Sequence, residues 1–193
     1  MCLKILEDSR LYALLVKFDG DLAEIARASG CSCGGRLHSA RYRRKPWGWV
    51  IAQPEGYDRR DSFCCAEDGC RKRTTPASVR FLGRKVYLGA VVALVTALRH
   101  GANARRASEL RHAIGASRRT LARWRTWWRE VFTATPFWRV ARALWVPAVS
   151  EPALPASLLE RFAEDEGWMR LVRLLEFISP VTTRSGGRTL MGD

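Results

Sequence analysis

The sequence predicts a mainly α-helical chain with a small β region inserted between an N-terminal helical cap and a C-terminal helical bundle. Three observations carry that expectation. Apolar residues recur at helical spacing near the N-terminus and again beyond residue 84. Residues 31–80 lose that periodicity and hold five of the six cysteines. The stretch SRRTLARWRTWWREVF, Ser117 to Phe132, then packs five arginines and three tryptophans into one helical segment.

At 193 residues and 47% apolar, the chain is long enough for one or two small domains with a real core. Its 33 Lys and Arg against 19 Asp and Glu give a net charge of +14, which suits a polyanionic partner. The N-terminus MCLKILEDSR has no long apolar stretch, so no secretory signal is expected. The most apolar run, Val86 to Leu98, is 13 residues, too short to span a bilayer. A cytoplasmic protein with no membrane partner is expected, with thiols kept reduced, so that clustered cysteines favour metal binding over disulfides.

Taken in order, residues 1–30 read as a helical cap. Leu11, Leu14, Leu15 and Phe18 share a face, Asp19-Gly20 breaks the pattern, and DLAEIARASG starts a second short helix ending at Gly30. Residues 31–80 read as short strands (GRLHSARYR, WGWVIAQ, DSFCC) between cysteine hooks. Residues 84–146 read as a helix-turn-helix domain. Residues 147–193 read as a proline-rich linker, two helices and a disordered tail.

The cysteines form two groups about 30 residues apart, GCSCGG and FCCAEDGCRKR. Two turns that each offer two thiolates can surround a tetrahedral zinc ion, the layout of a zinc ribbon. The ligands are assigned to Cys31, Cys33, Cys65 and Cys70. Cys64 is the replacement for one of them, and His38 and His100 are spare nitrogen ligands. The spacings depart from C-x-x-C: the first hook is C-x-C and the second C-x4-C. The zinc is read as structural, because a segment with so little core needs a metal to fold. Between the hooks, Arg41, Arg43, Arg44 and Lys45 stand beside Tyr42, Trp47 and Trp49. The cations suit a phosphate backbone, while the tryptophans are read first as core and second as base-stacking surfaces.

In the bundle, a helix from about Lys85 to Arg99 is apolar on all sides and should be central. A second runs from about Ala104 to Ile114 and stops at Gly115, and a third is capped by Ser117. At 100° per residue, Leu121, Trp124, Trp128 and Phe132 form a core stripe. Arg119 and Arg123 oppose it, and Arg118 flanks them. Tryptophans thus anchor this helix while arginines face outward, as in a recognition helix whose first turns enter the major groove. Arg118, Arg119, Thr120 and Arg123 are the base-reading candidates, with Arg105 and Arg106 near the phosphates. Residues 99–129 hold nine arginines and one acidic residue, Glu109, which a solvated helix face would not require.

The motifs CSCGG, FCCAEDGCRKRTTPASVRF and GASRRTLARWRTWWRE, over roughly residues 30–132, resemble the N-terminal zinc-ribbon and helix-turn-helix region of bacterial DDE-class insertion-sequence transposases. That resemblance implies recognition of element ends. A DDE catalytic domain needs three separated carboxylates on an α/β fold. The residues after Phe132 read as helical, and Glu160, Glu164, Asp165 and Glu166 read as a solvated face, so no enzyme is expected. The expected function is a zinc-stabilised, sequence-specific DNA-binding accessory factor or regulator of a mobile element. Its partners would be double-stranded DNA and a transposase or recombinase, with a homodimer left open. The alternative is an adaptor bridging a recombinase or polymerase to nucleic acid with weak sequence preference, its C-terminal helices forming the protein contact.

Overall fold

The computed structural model describes residues 3–82, 87–97, 108, 112–162 and 167–183. The chain is mainly helical, with a small antiparallel β region that carries the cysteines. After a short 3-10 turn, Leu3–Glu7, helix α1 spans Ser9–Ala28. The expected break at Asp19-Gly20 does not occur. Asp19 lies on the buried stripe of α1 with Leu11, Tyr12, Leu15 and Ala23, and its carboxylate is satisfied from outside the helix. A side chain that could have competed for the local backbone is thereby committed elsewhere. Asp8 is the N-cap, its carboxylate accepting from the Arg10 N–H.

The β region has five short strands: β1 Leu37–Ser39, β2 Tyr42–Arg43, β3 Arg59–Arg60, β4 Phe63–Cys65 and β5 Arg73–Thr74. One sheet has the order β1-β4-β5 and the other pairs β2 with β3, all antiparallel. The expected strand WGWVIAQ is instead a loop with a single bridge, Trp47 to Tyr87. Gly48 there has φ +92°, which turns the chain out of extended geometry.

Helix α2, Gly89–Thr96, is buried at every residue and is the central helix, as its all-round apolarity requires. Residues 112–114 are helical, and Gly115 ends that helix with φ +69°. Helix α3, Arg118–Thr126, continues as a π-helical turn, Trp127–Phe132. Helices α4 (Pro136–Ala141), α5 (Ala156–Leu159) and α6 (Met169–Ile178) complete the bundle.

Two domain boundaries differ from expectation. The cap is not separate: Leu11, Tyr12 and Leu15 join the main core, while Ala23 joins a second cluster with Cys31, Leu37, Phe63 and Cys65. Helix α1 is thus a spine to both parts. Nor do the C-terminal helices dangle from a linker. Leu158, Leu159, Leu171, Val172, Leu174, Leu175 and Ile178 belong to the main core with α2. Their apolar stripes are long enough to demand burial, and the bundle is the surface they find. Trp168 Nε1 also donates to Asp8 at 3.1 Å, and the Ser78 N–H to Thr182 Oγ1 at 2.9 Å. The expected disordered tail lies outside the described residues beyond position 183. No helix among the described residues is long and apolar enough to cross a membrane.

Candidate metal centre and basic surface

The cysteine hooks converge. The sulfurs of Cys31, Cys33, Cys65 and Cys70 all lie within 4.8 Å of one another. Cys31 and Cys70 are 3.7 Å apart, and Cys33 and Cys65 are 3.5 Å apart. A tetrahedral ion bonded to sulfur at about 2.3 Å sets its ligands about 3.8 Å apart, close to both distances. A disulfide, at about 2.05 Å, is far shorter.

The local geometry explains how irregular spacings still build one cluster. In the first hook the Gly34 N–H bonds the Cys31 carbonyl at 2.8 Å, and the Cys31 N–H bonds the Gly35 carbonyl at 3.2 Å. In the second, the Cys70 and Arg71 N–H groups both donate to the Glu67 carbonyl at 3.0 Å. Each hook ends in a left-handed residue directly after its last cysteine, Gly34 at φ +83° and Arg71 at φ 46°. Gly35 is required for another reason: a Cβ there would stand 2.8 Å from Cys65 Sγ and 2.5 Å from Glu67 Cγ.

Backbone N–H groups two residues downstream point at three of the sulfurs: Cys33 to Cys31, Glu67 to Cys65 and Lys72 to Cys70. Chiefly through the Cys33 N–H, the Cys31 thiol is held down at about 6. The Glu67 N–H lowers Cys65, but burial and the neighbouring Cys33, Cys31 and Cys70 sulfurs outweigh it and push that thiol up to about 12. Cys70 is likewise raised: its Lys72 N–H lowers it, and Cys33, Cys31 and burial raise it more. One thiolate discourages the next at this spacing, and a bound cation removes that conflict. Lys72 Nζ bonds Ser32 Oγ at 3.1 Å, which ties β5's approach to the first hook.

Cys64 does not join the cluster. It alternates with Cys65 along β4, so its sulfur leaves the inner face and reaches the Arg71 carbonyl at 3.5 Å. His38 pairs with Cys64 across the sheet on that same outer row. His100 lies outside the described residues.

The basic candidates divide. On α3, Arg118, Arg119 and Arg123 are exposed, with Ala122 between them, while Leu121, Trp124, Trp128 and Phe132 are buried. Trp127, off the stripe, is also buried, edge-to-face on Trp128 at 4.7 Å. Thr120 does not face outward: it is buried, its N–H donating to the Ser117 cap at 3.2 Å and its hydroxyl meeting Ser117 Oγ at 3.1 Å. Its side chain belongs to the helix start and lies off the exposed arginine face. Arg105 and Arg106 lie outside the described residues.

In the β region, Arg41 Nε bonds Asp61 at 2.7 Å and Arg43 Nε sits 3.6 Å from Asp58. Arg44 lies over the Tyr42 ring at 5.5 Å. Arg41 and Arg43 thus pair with aspartates flanking β3 while their side chains stay largely exposed, and Lys45 is exposed. Trp49 is partly buried against the core, packed on Tyr12 and Tyr57, whereas Trp47 is 61% exposed.

One constellation was not anticipated. Arg80 is buried with its Nε 2.8 Å from Asp19, and it also donates to the Tyr57 carbonyl at 3.0 Å and the Arg59 carbonyl at 2.9 Å. Asp19 additionally accepts from Ser78 Oγ at 2.6 Å and the Val79 N–H at 2.7 Å. The signal was present: Asp19 follows Leu11 and Leu15 at four-residue steps on the buried face of α1.

No family model, curated protein or solved structure matches the chain.

Proposed function

We propose that this chain is a zinc-stabilised, sequence-specific DNA-binding protein, and that the β region is a zinc ribbon supporting a helix-turn-helix. The observation that carries the DNA reading is the division of α3. One side buries Leu121 and Trp124, while Arg118, Arg119 and Arg123 stand exposed at its Ser117-capped start. A duplex entered by that end would meet guanidinium groups able to bond guanine bidentately. The zinc reading is supported by four sulfurs within 4.8 Å of one another, a donor set that selects zinc or iron among common ions. Held by Cys31, Cys33, Cys65 and Cys70, the ion would be closed to substrate and would stabilise the fold. The order of hooks, central helix and helix-turn-helix supports a role as accessory factor or regulator of a mobile element, recognising DNA alone or beside a transposase.

The test is recovery of genomic DNA fragments by the purified, zinc-loaded protein at physiological salt, followed by sequencing. A single shared motif is the expected result, and affinity should fall steeply with salt as phosphate contacts release counterions. Uniform recovery without a motif would overturn sequence specificity. That outcome would favour an adaptor, a second reading supported by Val140, Leu144 and Val146, which are 75%, 74% and 92% exposed.

A further inference from the structure

Trp47 and Trp49 are two residues apart and have opposite fates. Trp49 packs against Tyr57 at 4.9 Å and donates its Nε1 to the Pro46 carbonyl at 2.9 Å. Trp47 stays 61% exposed, yet its backbone is fixed. Its carbonyl accepts the Leu88 N–H at 3.1 Å, and it bridges to Tyr87. Gly48, at φ +92°, lies close against Val91 of α2, where a Cβ would stand 3.3 Å from Cγ1. The Trp47 ring lies beside the turn that precedes α3, its Cε3 3.9 Å from where a Cβ on Gly115 would be. Tyr87 ties the same place together: its hydroxyl donates to the Gly115 carbonyl at 3.2 Å, and its ring stands edge-on to Trp124 at 4.9 Å.

The result is a mostly exposed aromatic ring, carried on a hydrogen-bonded backbone beside the turn that leads into the end of α3 bearing Arg118 and Arg119, with exposed Lys45 two residues before it. Cations around an open indole complement a nucleotide, whose base offers a π-face and whose phosphate offers charge. Resting on the DNA-binding reading above, we infer that Trp47 is a base-stacking contact. It takes the face of a nucleobase that has left the duplex stack, beside the DNA held by α3. The preferred ligand is therefore a duplex with an unpaired end or step, and the β region and α3 form one continuous surface for it.

The experiment compares the full-length, zinc-loaded protein on a blunt duplex and on the same duplex extended by a short oligothymidine tail. The tail should tighten wild-type binding by about tenfold, the scale of one stacked base. Trp47→Ala should abolish that gain and leave blunt-duplex affinity unchanged, while Trp47→Phe keeps most of the gain. If Trp47→Ala lowers the melting temperature, Trp47→Leu, which retains apolar bulk without a π-face, replaces it. No tail-dependent gain in the wild type, or a gain that survives loss of the aromatic ring, overturns the inference while leaving duplex binding standing. Failure of the wild type to bind even the blunt duplex overturns the DNA reading and this inference together.

Discussion

Arg80 Nε lies 2.8 Å from Asp19 Oδ2, with both side chains out of solvent, and this contact joins helix α1 to the segment leaving the β region. The guanidinium also holds the Tyr57 and Arg59 carbonyls and sits 5.3 Å from the Tyr57 ring centre. A buried charge with a partner on each of its nitrogens is tolerated, and one stripped of its counter-charge is not. Asp19→Asn should therefore cost about 3–5 kcal/mol in urea unfolding of the metal-loaded protein. Arg80→Lys should not rescue the site, because an ammonium cannot reproduce the fork that reaches three acceptors. A loss below about 1 kcal/mol for Asp19→Asn would contradict this account.

Metal content separates Cys64 from its neighbour. Cys65→Ser removes a sulfur from the cluster and should abolish stoichiometric zinc binding, whereas Cys64→Ser should retain it. Elemental analysis of the purified variants reads this directly. Chelation should unfold the β region, seen as lost near-ultraviolet circular dichroism, because the small cluster of Ala23, Leu37 and Phe63 buries too little to hold the hooks alone. Gly35→Ala should mimic that loss by forcing a methyl group against Cys65 Sγ.

The arginines should sort by what they touch. Arg118→Ala and Arg123→Ala should each relax sequence preference by about 1–3 kcal/mol per lost base contact, measured by competition between related sites. A phosphate contact at Arg41 would make Arg41→Ala weaken all DNA alike. With Arg41 Nε bonded to Asp61, its effect should instead appear in thermal stability. Thr120→Ala should likewise leave site selection unchanged, since the buried hydroxyl belongs to the Ser117 cap.

Acid should loosen the N-terminus through Asp8. Its carboxyl is lowered from 3.8 to about 2, first by the Arg10 side-chain hydrogen bond and then by the Arg10 backbone N–H. A group depressed on folding contributes stability that is present above its unfolded value and lost as pH falls through its folded one. The contribution should therefore be intact above pH 3.8 and fade toward pH 2. Asp8→Asn should flatten that part of the melting-temperature profile.

Much of the fold was legible wherever one short-range rule sufficed. Every residue of α2 is apolar or small enough to bury, so its central place follows from composition. Ser117 and Gly115 bracket the start of α3 because a side-chain cap and a positive φ are local requirements. The stripe Leu121, Trp124, Trp128, Phe132 follows from helical period alone. Asp19-Gly20 misled because its local tendency to break a helix was overridden by Ser78, Val79 and Arg80, roughly sixty residues away.

The sequence by itself determined the helical periods, the excess of positive charge, the outward arginines of α3 and the presence of two thiol-bearing turns, since each depends on neighbours within a few residues. Only the tertiary structure decided which sulfurs meet, that Trp47 and not Trp49 stays mostly in water, which arginines are already paired, and that α1 and α6 share one core with α2. Those outcomes depend on distances between segments far apart in the chain. Local patterning sets which groups must be buried or turned, and packing alone sets what they are buried against.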